Sequence, residues 1–157
     1  MNLTAPPLTS TVASNSAPLE SYLSLGASLY IPTSRVDLGH CIRGPALQHA
    51  RSVILCTEDA INEDELSDAL DHLRALLSLP LNRKRVFVRP RSPDIMEEIL
   101  AMCGSEQLAG FVLPKIDLYT LPKYEALINQ RPHLRVMLTI ETKLAFRRLE
   151  LERLRTL

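Results

Sequence analysis

The sequence predicts an α/β fold built from five strand–helix repeats with parallel strands. Two observations predict it. Five short apolar runs are separated by segments with helical spacing or helix caps, which implies crossover connections rather than hairpins. At least two of the runs, Val53-Ile54-Leu55-Cys56 and Val136-Met137-Leu138-Thr139-Ile140, read as continuously apolar rather than alternating, as strands buried on both faces do.

The 157 residues suffice for one ordinary domain. Eighteen Lys+Arg balance eighteen Asp+Glu, so nothing in the charge calls for nucleic acid or an anionic membrane as partner. Apolar residues make up 46 %, enough for a sizeable core, whereas aromatics are 4 % with no Trp, which argues against stacking on bases or sugars. Cys41, Cys56 and Cys103 are far apart and odd in number, and are expected to be buried, reduced thiols of a cytoplasmic protein. No apolar run reaches the length of a membrane span, and the N-terminus lacks the basic start and apolar core of a secretory signal.

Residues 1–25 are rich in Ser, Thr, Pro and Ala with a single charge, Glu20, and are expected to form a disordered tail before a domain over 26–157. Ala27–Ile31 is the first expected strand, closed by Pro32 and a turn presenting Arg35. The helix that follows is interrupted by Gly39, Gly44 and Pro45, with Ala46 to Ala50 as its last turn. Ser52–Cys56 is the second strand and ends in Thr57-Glu58-Asp59. Asn62 and Glu65 have the spacing of a capping box, and Leu66, Ala69, Leu70, Leu73, Leu76 and Leu77 give the following helix an apolar stripe until Pro80. Arg85–Pro90 is the third strand, with Arg89 near its end. Ser92-Pro93 opens the next helix and Gly104 stops it. Ala109–Leu113 is the fourth strand, leading into Pro114-Lys115. A short helix begins at Thr120-Leu121-Pro122 and reaches Asn129. The fifth strand, from Leu134, delivers Glu141, and Thr142 is expected to cap a helix running from Lys143 to the end. The apolar residues of that last segment do not share one stripe. Five Gly, none in fingerprint spacing, exclude a dinucleotide or phosphate-loop motif.

Parallel strands bring their C-terminal ends to one face, the usual ligand edge of an α/β sheet. That face would gather Arg35, Glu58, Asp59, Arg89, Lys115 and Glu141. Carboxylates beside Arg and Lys suit an anionic oxygenated substrate held next to a hard divalent cation such as Mg²⁺. A polarised carbonyl and a stabilised enolate are what breaking or forming a C–C bond needs. Each residue also has a plainer reading. Glu58 and Asp59 would favour a helix dipole, and Arg35, Arg89, Arg91 and Lys115 could be solvated charges.

At these residues the chain resembles the citrate lyase β-subunit / HpcH–HpaI aldolase superfamily. The segments are Leu29–Arg35, Val53–Ile61 with its Glu-Asp-Ala-Ile, Val86–Pro90, Gly110–Ile116 with its Leu-Pro-Lys, and Leu138–Thr142 with its Ile-Glu-Thr. Order and spacing agree over about residues 27–145. Within the superfamily the likeness is to the lyase-like branch linked to tellurium-resistance gene clusters. The resemblance implies a Mg²⁺-dependent (β/α)₈ TIM barrel acting on anionic 2-oxo acids or CoA thioesters by aldol or Claisen chemistry. It implies Glu141 as metal ligand, and Arg89 on the substrate carboxylate or carbonyl. It also places Glu58 and Asp59 near the metal's waters, and Arg35 and Lys115 in the substrate mouth. Cys56 and Thr57 depart from the family's Asp-Leu before Glu-Asp. A complete barrel typically needs about 250 residues, so five units amount to an incomplete barrel, and the family's second metal-binding Asp, after the next strand, is not among these residues. Open sheet edges would favour association into a homo-oligomer. The rival expectation is a non-catalytic truncated barrel that serves as a binding or assembly module, and a small open-sheet binding domain is a third.

Overall fold

The computed structural model describes residues 22–81 and 85–154. Five parallel strands form one sheet in the order β1 (Ser28–Pro32), β2 (Ser52–Cys56), β3 (Arg85–Arg89), β4 (Gly110–Leu113) and β5 (Arg135–Leu138). Spatial order follows chain order without reversal. With right-handed crossovers this keeps the helices on one face, as in a barrel, whereas a doubly wound sheet reverses its order. Among the described residues the sheet is not closed: β1 pairs only with β2, and β5 only with β4.

Alternation along the strands builds two apolar layers. Val53, Leu55, Val86, Val88, Phe111 and Leu113 face the helices and join one large core with Leu73, Leu77, Met96 and Ile99. Ile54, Phe87 and Val112 point to the opposite face and pack with Leu25, Ala109 and Met137 where a barrel has its interior. The predicted double-sided burial holds for β2, all five of whose residues are buried. It fails for β5, where Arg135 and Leu138 are exposed and only the middle pair is half-buried. Among the described residues β5 is paired on one side alone, so its apolar composition does not make a buried strand.

The helices are α1 (Leu38–Arg43), α2 (Leu66–Leu77), α3 (Pro93–Ala101), α4 (Leu121–Ile128) and α5 (Arg148–Leu154). Gly39 lies inside α1 rather than breaking it. The interruption comes at Gly44, after which Pro45–Leu47 is a single 3-10 turn. The expected capping box is half present. The Asn62 N–H donates to Glu65 Oε2 at 3.1 Å, but α2 starts only at Leu66, because residues 58–65 are spent in turns. Ser92 caps α3 as predicted, its Oγ accepting from the Ile95 N–H, with Pro93 at the first position. Thr142 accepts from the Ala145 N–H and caps only one turn; α5 starts six residues later and buries nothing. The unstriped leucines of this segment therefore mark a weakly packed helix, with Leu149 and Leu151 exposed and Leu154 alone among its leucines half-buried against the core.

Of the expected tail, residues 1–21 lie outside those described, and Tyr22–Leu25 form a 3-10 turn. Leu25 and Ser24 anchor this turn under the sheet: the Ser52 hydroxyl donates to Leu25 O and Arg85 Nη1 to Ser24 O. All three cysteines are free. Cys56 is buried, Cys41 half-buried, and Cys103, against expectation, exposed beyond the end of α3. Gly110 is required where β4 meets β5. Its φ is +156°, and a Cβ there would sit 1.8 Å from Arg135 O.

Candidate active site at the C-terminal strand ends

Three threonines, each one residue past a strand, zip the C-terminal edge together. Thr33 donates from N–H and Oγ1 to Cys56 O, at 3.1 and 3.0 Å. Thr57 does the same to Arg89 O, both at 3.0 Å. The Thr139 N–H reaches Leu113 O at 2.9 Å, and its hydroxyl lies 2.8 Å from the same oxygen. A branched hydroxyl residue suits this place. It keeps extended backbone and adds a second donor where the ladder is about to end. The signal was in the sequence, as Thr immediately after three of the five strands, and sequence reasoning passed over it.

On this edge stands a five-residue charge cluster. Arg89, the last residue of β3, is only 9 % exposed. Its Nε donates to Glu58 Oε2 at 2.7 Å, and its Nη2 to Glu141 Oε1 at 2.6 Å and Asp59 Oδ2 at 3.1 Å. Lys115 Nζ stands 2.6 Å from Glu58 Oε1 and 3.1 Å from Asp59 Oδ1. Glu58 and Asp59 thus each give one oxygen to Arg89 and the other to Lys115, a closed square. Glu141 adds a third carboxylate. Its Oε1 also accepts the Lys115 backbone N–H at 3.1 Å and lies 3.0 Å from the Thr139 hydroxyl. Three carboxylates face two cations, so the cluster holds one net negative charge.

Lys115 achieves its double contact by adopting φ +51°, the left-handed region that a lysine rarely occupies. Such a conformation costs roughly 1–3 kcal/mol and concentrates at functional sites. The electrostatics agree with the geometry. Its bonds to Glu58 and Asp59 hold the Lys115 ammonium above its ordinary pKa, and the Lys115 bond holds the Asp59 carboxyl below the usual range. Burial pulls the Arg89 guanidinium down, but the Tyr30 hydroxyl, Glu58 and Glu141 outweigh it and raise it. Burial, with Glu58 next, pushes the Tyr124 hydroxyl up to about 12, so this fully buried phenol in α4 stays neutral behind the cluster.

Five of the six predicted site residues are therefore brought together: Glu58, Asp59, Arg89, Lys115 and Glu141. Arg35 is not among them. Its guanidinium forms a bidentate pair with Asp37, both bonds at 2.8 Å, on the exposed turn after β1. Arg91, whose plainer reading was a solvated loop charge, is pinned instead. Nε donates to Thr57 O at 3.4 Å, and Nη2 to Glu58 O at 3.3 Å and, more closely, to Ile61 O. It braces the turn that carries Glu58 and Asp59. A polar cavity of about 430 Å³ opens between this turn and Lys115, with Asn62, Glu63 and Arg91 on its walls. Among the described residues no group of three or more His, Cys, Asp or Glu is disposed to hold a metal ion by itself.

Parallel strands in barrel order, with a cationic and carboxylate cluster on the C-terminal edge, match the expected barrel architecture. No curated protein matches the chain. A family model described as the C–C bond lyase of the TIM-barrel fold matches residues 19–157, which takes in every strand and all five cluster residues. The chain belongs to this family of C–C bond lyases of the TIM-barrel fold.

Proposed function

We propose that this chain carries strand-end residues of a Mg²⁺-dependent C–C lyase or aldolase of the citrate lyase β-like type, acting on an anionic oxo acid or an acyl-CoA-like thioester. One observation carries the reading. A guanidinium nine-tenths removed from water is shared by carboxylates from two other strand ends, on the edge where α/β enzymes bind ligands. In this reading Arg89 is the fixed positive charge against which negative charge on a substrate oxygen develops, and its low-dielectric setting strengthens that interaction. Lys115 at the cavity mouth takes the substrate's carboxylate, with Arg35 further out. Glu58 and Asp59 orient Arg89 and Lys115 and would lie near the waters of a bound metal.

Glu141 is the residue that would hold Mg²⁺. The donor is suitable: Oε1 is engaged by Arg89, Lys115 and Thr139, whereas Oε2 accepts no hydrogen bond among the described residues, and the side chain is about one-third exposed. Mg²⁺ commonly takes one or two protein carboxylates and completes its shell with water and substrate oxygens. When bound, it supplies Lewis-acid polarisation of the substrate carbonyl. We place the protein in a reducing, cytoplasmic setting, which suits three cysteines far apart in sequence and odd in number.

The test is Mg²⁺-dependent turnover of malyl- or citryl-type substrates by the whole chain. Turnover should vanish with Glu141→Ala; the same slow activity surviving that change would refute the reading.

A second reading, a non-catalytic binding or assembly module, is favoured by the sheet edges. Leu29 and Tyr30 on β1 and Leu138 and Ile140 at β5 are 40–51 % exposed beside unpaired backbone. It predicts homo-oligomers in light scattering without turnover; a stable monomer would argue against it.

A further inference from the structure

Two apolar features of this fold have no counterpart among the described residues, and they lie at opposite edges of the sheet. The first is a groove beside β1. Leu29 continues the row of Val53 and Val86 on the helix-bearing face, but it stands at the free edge and is exposed. A groove of about 440 Å³ opens next to it, walled by Gly26, Ala27, Leu47 and Ala50. The second feature is α5. A crossover helix rests on its own strand and on the next strand of the sheet, yet α5 follows β5, which is paired on one side alone. Leu154 reaches the core, whereas Phe146 and Leu149 are 69 % exposed and Leu151 is 37 % exposed. The two features fit one another in direction. All five strands are parallel, so a β1 laid along the free edge of β5 continues the sheet in the same sense and brings its groove under α5. Charge agrees as well. His49 and Arg51 line the groove and make no ion pair among the described residues, and α5 carries Glu150 and Glu152. Within one chain the two edges are separated by β2, β3 and β4.

We propose that this chain docks with a second copy of itself, β1 of each copy beside β5 of the other, with α5 of each seated in the other's β1 groove. The pair closes on a two-fold axis, so the contact is made twice and no free edge is left for a third copy. Each contact then has to bury half of the roughly 1,600 Å² of a standard interface. Parallel pairing also puts the charge clusters of both copies on the same rim. The inference rests on the assembly reading above and adds to it the direction of pairing and the helix that seals it; the lyase reading does not depend on it.

Light scattering of the whole chain should give twice the 17.6 kDa of one copy. Leu149→Glu with Leu151→Glu should give the single mass, and so should Ala46→Glu on the groove wall, since each places a carboxylate in the contact. All three positions are exposed in the single chain, so circular dichroism should match the parent's. Cross-linking tests the geometry separately. In a Cys41→Ser, Cys103→Ser background, a short bis-maleimide should give a covalent dimer from a chain with both Ala46→Cys and Leu151→Cys, and from neither change alone. A dimer that persists in both glutamate variants, or a covalent dimer from Leu151→Cys alone, overturns the proposed contact and leaves the assembly reading standing. A monomeric parent chain overturns both.

Discussion

Replacing Arg89 by methionine removes the charge and the hydrogen bonds while keeping most of the aliphatic length. Glu58 is then left 5 % exposed with Lys115 as its remaining cation, and Glu141 and Asp59 lose their shared donor. Breaking a buried ion pair from one side costs about 3–5 kcal/mol. Because Lys115 still neutralises Glu58 from the open side, we expect a loss at or just below the bottom of that range, about 2–3 kcal/mol. For a chain of this size such a loss lowers Tm by roughly 5–10 °C. Glu58→Gln in the same background removes the stranded charge, so the double variant should be more stable than the sum of the two single losses predicts. The expected coupling is about 1–3 kcal/mol. Urea denaturation of the four proteins at neutral pH measures all of these quantities. Additive losses, or an Arg89→Met cost below about 1 kcal/mol, would show that Arg89 behaves as a solvated surface charge and would refute the desolvated-cation reasoning on which the site rests.

Two further outcomes follow from the geometry. Asp59 has a folded pKa below its unfolded value, so its contribution is complete above about pH 4 and is lost as pH falls through the folded value. Lys115 is raised, so its contribution is complete below about pH 10 and is lost as pH rises through the raised value. Both side chains are more than half exposed, which limits the effect to about 0.2–1 kcal/mol. Lys115→Met should therefore flatten both limbs of a Tm-versus-pH curve, and an unchanged alkaline limb would exclude the pairing. Gly110→Ala would drive a Cβ to 1.8 Å from Arg135 O and should pry β5 from β4, losing more than about 2 kcal/mol. Amide exchange across residues 135–139 should rise well before that of β2, and equal protection in the variant would contradict it.

Much of this architecture was legible because the local signals agree. Val53 to Cys56 form an unbroken apolar run and become a fully buried strand, and Ser92-Pro93 places a helix start to the residue. The five charges were legible as strand ends, since parallel pairing makes the end of each strand a neighbour of the next. What escaped was decided by partners distant in sequence. Arg91 looks like a loop charge until the carbonyls of Thr57, Glu58 and Ile61 are seen to converge on it. Arg35 occupies the expected strand end, yet Asp37, two residues on, satisfies it locally and holds it out of the cluster. The solvent exposure of β5 could not be read from its apolar composition, because burial depends on what lies beside a strand.

That last point bears on the chemistry. The cluster is built firmly on its β2 and β3 sides: Thr57 and Arg91 fix the turn of Glu58 and Asp59, and Glu58 in turn fixes Arg89. Glu141 lies three residues beyond β5, an edge strand with no fully buried residue. It is oriented mainly by Arg89, the Lys115 N–H and Thr139. The site thus has a rigid cationic centre and a carboxylate whose position is set by contacts within the cluster more than by its own strand. If Glu141 holds the metal, the precision of the metal's placement comes from Arg89 and Lys115. A change at either cation would then move a ligand on another strand while leaving every carboxylate of the site in the sequence.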